Sequence, residues 1–162
     1  MRVVILLLTI LTMTMFGGTS TAYALTYKEL ATQIEEKHQL PIGLLVAICE
    51  VESGWRPQAI GREGEIGLCQ LKPQTLALLC PNCNPEHLLN PYDNLTWAAR
   101  YLVWLKRMLG TSDPDVLAVA YNGGQGSPAA NYLIKIGRVY NEIKPSPVPV
   151  LGEPSTSDTR SP

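Results

Sequence analysis

Chemistry in this chain starts with Glu50 and Glu52, two carboxylates that follow an apolar run over residues 44–49. Two positions apart on a helix is roughly 200° of rotation, so these side chains point to opposite sides and cannot work as a pair. A carboxyl carried on an apolar helix is costly to ionise, and burial raises its pKa. The helix C-terminus acts in the same direction, because the negative end of the dipole opposes a second negative charge. Such a group holds its proton near neutral pH, which a general acid requires. These arguments apply equally to Glu50 and Glu52, and either one reaches solvent if the helix ends early. Glu63 and Glu65 lie in a glycine-punctuated segment, where a glutamate is ordinarily a solvated surface charge.

The elements that must position these groups read as helices with clear starts. Thr26-Tyr27-Lys28-Glu29 is a capping box, followed by Tyr27, Leu30, Ala31 and Ile34 on one apolar face. Pro41 suits the first position of a second helix, which is apolar all round through Cys49 and therefore buried, and Arg56-Pro57 stops it. Residues 59–71 have no helical period and carry Gly61, Gly64 and Gly67, the pattern of a small hairpin or an irregular β element. Pro73 opens a short helix to Leu79, and residues 80–90 read as a loop. Asn90-Pro91 starts a long helix whose buried stripe is Leu95, Ala98, Ala99, Leu102, Leu105 and Leu109. Asp113-Pro114 starts the next helix, ending at Gly123-Gly124, and Ser127-Pro128 starts the last. The predicted fold class is α+β, mainly α, with one small β element.

Residues 1–24 read as an address. Arg2 precedes an apolar run over residues 3–11, and a small, polar stretch then leads to Ala22-Tyr23-Ala24. That is the order of a cleaved secretory signal peptide, and the run is shorter than the ~20 apolar residues a spanning helix needs. The expected product is one exported domain over residues 25–144, without a membrane anchor after cleavage. A Pro- and Ser-rich tail, expected to be disordered, covers residues 145–162. Formal net charge is −1 and neither sign clusters, which argues against nucleic acid as a partner.

Cys49, Cys69, Cys80 and Cys83 form an even set, which in an exported chain reads as structural disulfides with three full pairings open. Cys80-Pro81-Asn82-Cys83 lacks the strand–helix flanks of a thioredoxin-like motif, and zinc would need a second close pair. No metal or other cofactor is expected.

A wider pattern separates Glu52 from Glu50. The chain reads Glu52-Ser53-Gly54-Trp55, then Gly67-Leu68-Cys69-Gln70-Leu71 before Pro73 and Thr75. Asn94 and Arg100-Tyr101-Leu102 follow, and then Ala120-Tyr121-Asn122-Gly123-Gly124. In this order the motifs resemble the catalytic domain of the soluble lytic transglycosylases, relatives of goose-type lysozyme. Those proteins show Glu-Ser, Gly-Leu-Met-Gln before Pro-x-Thr, and Ala-Tyr-Asn-Ala-Gly. The resemblance covers roughly residues 26–140 and implies a lysozyme-like helical domain. It also implies that Glu52 is the catalytic acid, that Ser53 and Gln70 line the sugar cleft, and that Tyr121 and Asn122 belong to a tyrosine motif near acid and substrate. Cys69 stands where the family usually has methionine, as lost apolar volume or a bond to Cys49, and Gly123 stands where alanine is common.

The implied reaction cleaves the bond between N-acetylmuramic acid and N-acetylglucosamine in peptidoglycan, leaving a 1,6-anhydro end. A plain hydrolase is the nearest alternative, with Glu65 as second carboxylate beside a water. A non-catalytic glycan-binding module, stacking sugars on Trp55, Trp97, Tyr101 or Trp104, is another. Trp97 and Trp104, however, flank an apolar stripe and read as core edge. Small size and export further suggest service to a secretion, conjugation or pilus apparatus, by analogy alone.

Overall fold

The structure is a computed structural model and describes residues 25–123 and 129–143. The expected signal peptide, the Ser127-Pro128 helix start and the tail over residues 145–162 lie outside the described residues. The helices are α1 (Tyr27–Lys37), α2 (Leu44–Ser53), α3 (Pro73–Leu79), α4 (Pro91–Leu109), α5 (Pro114–Tyr121) and α6 (Ala129–Ile143), with a 3-10 turn at Pro85–Leu89. The domain is mainly helical, as its caps and apolar stripes predict.

Helix α2 is the centre. Every residue from Leu44 to Cys49 is buried, and α1, α4, α5 and α6 all pack against it. Each fully buried leucine or isoleucine here contributes roughly 1.5–3 kcal/mol by leaving water. The helix begins at Leu44, three residues beyond the expected Pro41, after Gly43 in a left-handed turn at φ 86°. A distant side chain decides that start. Glu35 of α1, 1% exposed, accepts hydrogen bonds from the backbone N–H groups of Gly43, Leu45 and Val46. It satisfies donors that a helix N-terminus leaves open. Glu35 thus takes a place on the buried face of α1, while Tyr27, expected there, is 37% exposed. At the other end the stop comes earlier than Arg56-Pro57. Gly54 closes the helix at φ 60°, the left-handed conformation glycine adopts without strain.

The glycine-punctuated segment is reduced to two antiparallel bridges, Ile60 with Ile66 and Ile66 with Leu71. Asn94 of α4, fully buried, holds this element. It accepts from the Cys69 N–H at 2.9 Å and donates to the Ile66 and Leu88 carbonyls at 2.8 Å. Gly67 allows that approach, since a Cβ there would strike the Asn94 amide and the Leu88 carbonyl. The expected loop over residues 80–90 contains the 3-10 turn, whose Leu88 is buried. On α4 the predicted stripe is buried except for Leu109, 49% exposed at the helix end. Trp97 and Trp104 sit at the core edge. The cysteines pair as Cys49–Cys69 and Cys80–Cys83. The first bond ties the middle of α2 to the hairpin segment, twenty residues away in sequence.

Candidate active site

Helix α2 carries Glu52 in its last turn to the wall of a cleft of about 710 Å³. The hairpin segment, α3, α4 and the end of α5 form the rest of that cleft, through Glu65, Gln70, Thr75, Tyr101 and Tyr121. Glu52 Oε1 accepts a hydrogen bond from the Tyr132 hydroxyl of α6 at 2.9 Å. Burial pushes the Glu52 carboxyl above its ordinary range. The Tyr132 hydrogen bond and the Lys135 ammonium oppose that rise, and the negative charge of Glu65 adds to it. The same burial, with Glu52 as neighbour, pushes the Tyr132 phenol far upward, so Tyr132 keeps its proton. This arrangement places a carboxyl biased toward its protonated form at the edge of an open, polar cleft.

Glu50 faces the other way, as the helical rotation requires. Its carboxylate pairs with Lys28 at 2.7 Å and accepts from the Trp55 indole N–H. The Lys28 hydrogen bond, with help from Trp55, lowers its pKa despite partial burial. Environment therefore drives two neighbouring glutamates in opposite directions.

The other residues singled out from the sequence take varied places. Gln70 lines the cleft in a left-handed conformation at φ 48°, its amide donating to the Gly67 and Ala59 carbonyls at 2.9 and 3.2 Å. Asn122 lines the cleft just beyond α5. Tyr121 lines it too, but its buried hydroxyl donates to the Cys69 carbonyl at 2.9 Å. The hydroxyl on the acid belongs to Tyr132 instead. Ser53, expected in the cleft wall, turns inward. It is 4% exposed, donates to the Leu68 carbonyl at 2.6 Å and accepts from the Arg56 N–H at 3.1 Å. The next residue after Glu52 is rotated by about 100°, which takes Ser53 off the cleft side and lets it pin the hairpin to the helix end. Tyr101 lines the cleft and lies against Tyr121 at 5.4 Å between ring centres, whereas Trp55 serves Glu50.

Tyr132 and Glu65 complete the picture. Tyr132 lies 80 residues from Glu52 and carries no local motif. Its signal in the sequence is only a place four residues before Ile136, on the buried face of the last helix. Glu65 lies in the cleft, its side chain 20% exposed. It accepts from the Glu63 N–H at 3.0 Å and pairs with Lys72 at 3.5 Å. Lys72 also pairs with Glu63.

A helical domain with a partly buried carboxyl of raised pKa on the wall of a polar cleft fits a lysozyme-like domain. The comparisons narrow that class. The family model for the Transglycosylase SLT domain matches residues 29–133, and the chain belongs to that family. Among its relatives is the membrane-bound lytic murein transglycosylase C of Glaesserella parasuis, 27% identical over 157 residues. That match covers 86% of this chain and 43% of the relative. The endo-type membrane-bound lytic murein transglycosylase A of Klebsiella pneumoniae is 32% identical over 97 residues, covering 52% of this chain and 48% of that one. This chain therefore spans less than half the length of these curated relatives. The crystal structure of the 70 kDa soluble lytic transglycosylase SLT70 from Escherichia coli shares the fold, with a TM-score of 0.54. It is 24% identical and the match covers 74% of this chain and 21% of that one. Among the described residues, no helix is long and apolar enough to cross a membrane.

Proposed function

We propose that this domain is a peptidoglycan lytic transglycosylase with Glu52 as its acid and base. The observation that carries the reading is the Glu52 carboxyl, partly buried, raised and hydrogen-bonded to Tyr132 on the wall of the cleft. Breaking a glycosidic bond needs a proton on the leaving oxygen while positive charge grows on the sugar. Glu52 donates that proton to the oxygen between N-acetylmuramic acid and N-acetylglucosamine. As a carboxylate it then takes the proton of the muramic C6 hydroxyl, whose oxygen closes onto C1. The product is a 1,6-anhydro end, and no water is consumed. A hydroxyl held beside C1 in the same sugar has an effective concentration far above that of any external nucleophile, which favours ring closure over hydrolysis.

In this reading Gln70, Asn122 and Tyr101 contact the glycan from the cleft walls, and Tyr121 and Ser53 hold the walls in place. The relatives named as murein transglycosylases support the substrate class. The proposal extends to an exported enzyme, released by cleavage after Ala24 to the periplasm or beyond, that opens the wall locally for a secretion, conjugation or pilus apparatus. Mass spectrometry of the muropeptides released by wild type and Glu52→Gln tests the core of it. Anhydro ends from wild type and none from the variant are expected, and reducing ends from wild type would overturn transglycosylation.

A further inference from the structure

Glu65 has no role in the reaction as written, yet its surroundings differ from those of a free surface acid. Its Oε2 accepts the Glu63 N–H, and its Oε1 faces the Lys72 ammonium. Both partners are donors, and donors favour the charged form of a carboxyl. Burial acts to raise the Glu65 carboxyl, but the backbone N–H groups of Glu65 and Glu63 and the Lys72 ammonium outweigh it, and the net direction is down. The bridge around Ile66 fixes the segment, with the Gly61 N–H on the Glu65 carbonyl at 2.8 Å. Gly61 also makes room for the side chain. A Cβ there would run into Glu65 Oε2 and lie 2.8 Å from Gln70 Oε1. The fold thus clears a space, places an ionised carboxylate in it, and aims it into the cleft that holds Glu52.

We propose that Glu65 is a second working carboxylate of this cleft, facing the positive charge that grows on the cleaved sugar and stabilising it without taking up a proton. The inference rests on the reading of the cleft as a glycan-cleaving site. The balance of the reaction is unchanged. Glu52 gives its proton to the bridging oxygen as the bond from C1 breaks, the C6 oxygen bonds to C1, and the C6 proton returns to Glu52. Glu65 stays an anion throughout. A fixed negative charge at a developing cation acts only in the transition state, so it raises kcat more than it tightens binding. It acts on the acid as well. The groups that face Glu52 are Tyr132 and Lys135 from α6, Tyr121 from α5 and Glu65 from the hairpin. Among them Glu65 is the one that favours the protonated acid.

The test measures cleavage of purified peptidoglycan by the full chain as wild type, Glu65→Gln and Glu65→Asp, with product ends read by mass spectrometry. For Glu65→Gln, kcat should fall about 100-fold with KM changed by less than about threefold. Glu65→Asp should recover part of the loss, and all three proteins should release anhydro ends. The alkaline limb of kcat/KM should move to lower pH in Glu65→Gln, because the negative charge that adds to the effect of burial on the Glu52 proton is gone. A structural role would not move that limb. Gly61→Ala is a second variant, leaving every charge in place but pushing the Glu65 carboxylate aside. Its kcat should fall by at least about tenfold with the same products. Wild-type kcat in Glu65→Gln, or in Gly61→Ala, overturns the proposal. Reducing ends from wild type that turn to anhydro ends in Glu65→Gln overturn it in favour of a water-activating base. Wild-type turnover in Glu52→Gln overturns this inference and the underlying reading together. An inactive Glu52→Gln beside a fully active Glu65→Gln removes only the present inference.

Discussion

A carboxyl stands at each end of helix α2, one reaching in from α1 and one carried by α2 itself, and the two ends use them differently. At the N-terminal end, Glu35 reaches over from α1 and is enclosed by three backbone N–H donors. Burial raises its carboxyl while those same donors pull it down. At the C-terminal end, Glu52 has, among the described residues, the Tyr132 phenol as its hydrogen-bond partner, and an open cleft. The contrast separates two uses of a costly group. A buried carboxyl enclosed by three backbone donors holds elements together, whereas one bonded to a phenol at the wall of an open cleft is placed to meet a ligand. Glu50, two residues from Glu52, makes a third case: paired with an exposed lysine, it stays charged and does neither.

The largest effect is expected at Glu52. Glu52→Gln should lower glycan cleavage by at least about 10³-fold, or roughly 4 kcal/mol of transition-state stabilisation, measured as release of muropeptides. The fold should survive that change. Glu35→Ala should do the reverse. It leaves buried donors of α2 unmatched and should cost about 3 kcal/mol or more of stability, read as a lower urea midpoint with an unchanged slope. Activity per folded molecule should be kept.

Next in size is the bond behind the site. Replacing Cys49 and Cys69 by alanine opens a link across 20 residues and should cost about 3 kcal/mol on the chain-entropy account. The Tyr121 contact with the Cys69 carbonyl should loosen with it. Calorimetric melting of the double variant beside wild type, with and without reductant, checks this. A matching loss in wild type under reductant is the expected result.

The pH dependence sharpens the comparison further. Glu52 must be protonated to act, so activity should fall as pH rises through its raised pKa, above the ordinary 4.5. Tyr132→Phe removes a hydrogen bond that favours the ionised form, and should move that alkaline limb to still higher pH. The stability sign follows from the same shift. The folded chain holds the Glu52 proton more tightly than the unfolded chain does. That contribution is complete below about 4.5 and is lost as pH rises through the folded value. Glu52→Gln should therefore melt higher than wild type at neutral pH, with the gap narrowing as pH falls toward about 4.5 and absent below it. The smallest effect belongs to Glu50→Gln, which should keep cleavage within about twofold and change stability by less than about 1 kcal/mol, as exposed ion pairs do.

Residues whose role depends on near neighbours in the chain were legible in the sequence. Thr26 with Glu29, Asn90 with Pro91, and Asp113 with Pro114 start helices α1, α4 and α5, because a cap is a bond across three positions. The apolar run of α2 announced a central helix, and the spacing of Glu50 and Glu52 put them on opposite faces. The ordered motifs selected Glu52, and through Gln70, Tyr121 and Asn122 they marked the cleft. The Glu52-Ser53 motif points to Ser53 as a cleft residue, but adjacency in a motif carries no information on rotation about the helix, and Ser53 turns inward.

Tertiary structure alone decided what surrounds each of those groups. Glu35 became a cap for α2 because the turn between the helices folds back on it. Tyr132 became the partner of Glu52 across 80 residues, and Cys49 met Cys69 across 20. Whether a carboxyl holds its proton depends on the solvent it loses and the donors it gains, and both come from elements far away in the chain. The sequence therefore determined which groups could do chemistry, and the packing around α2 decided the environment in which each of them stands.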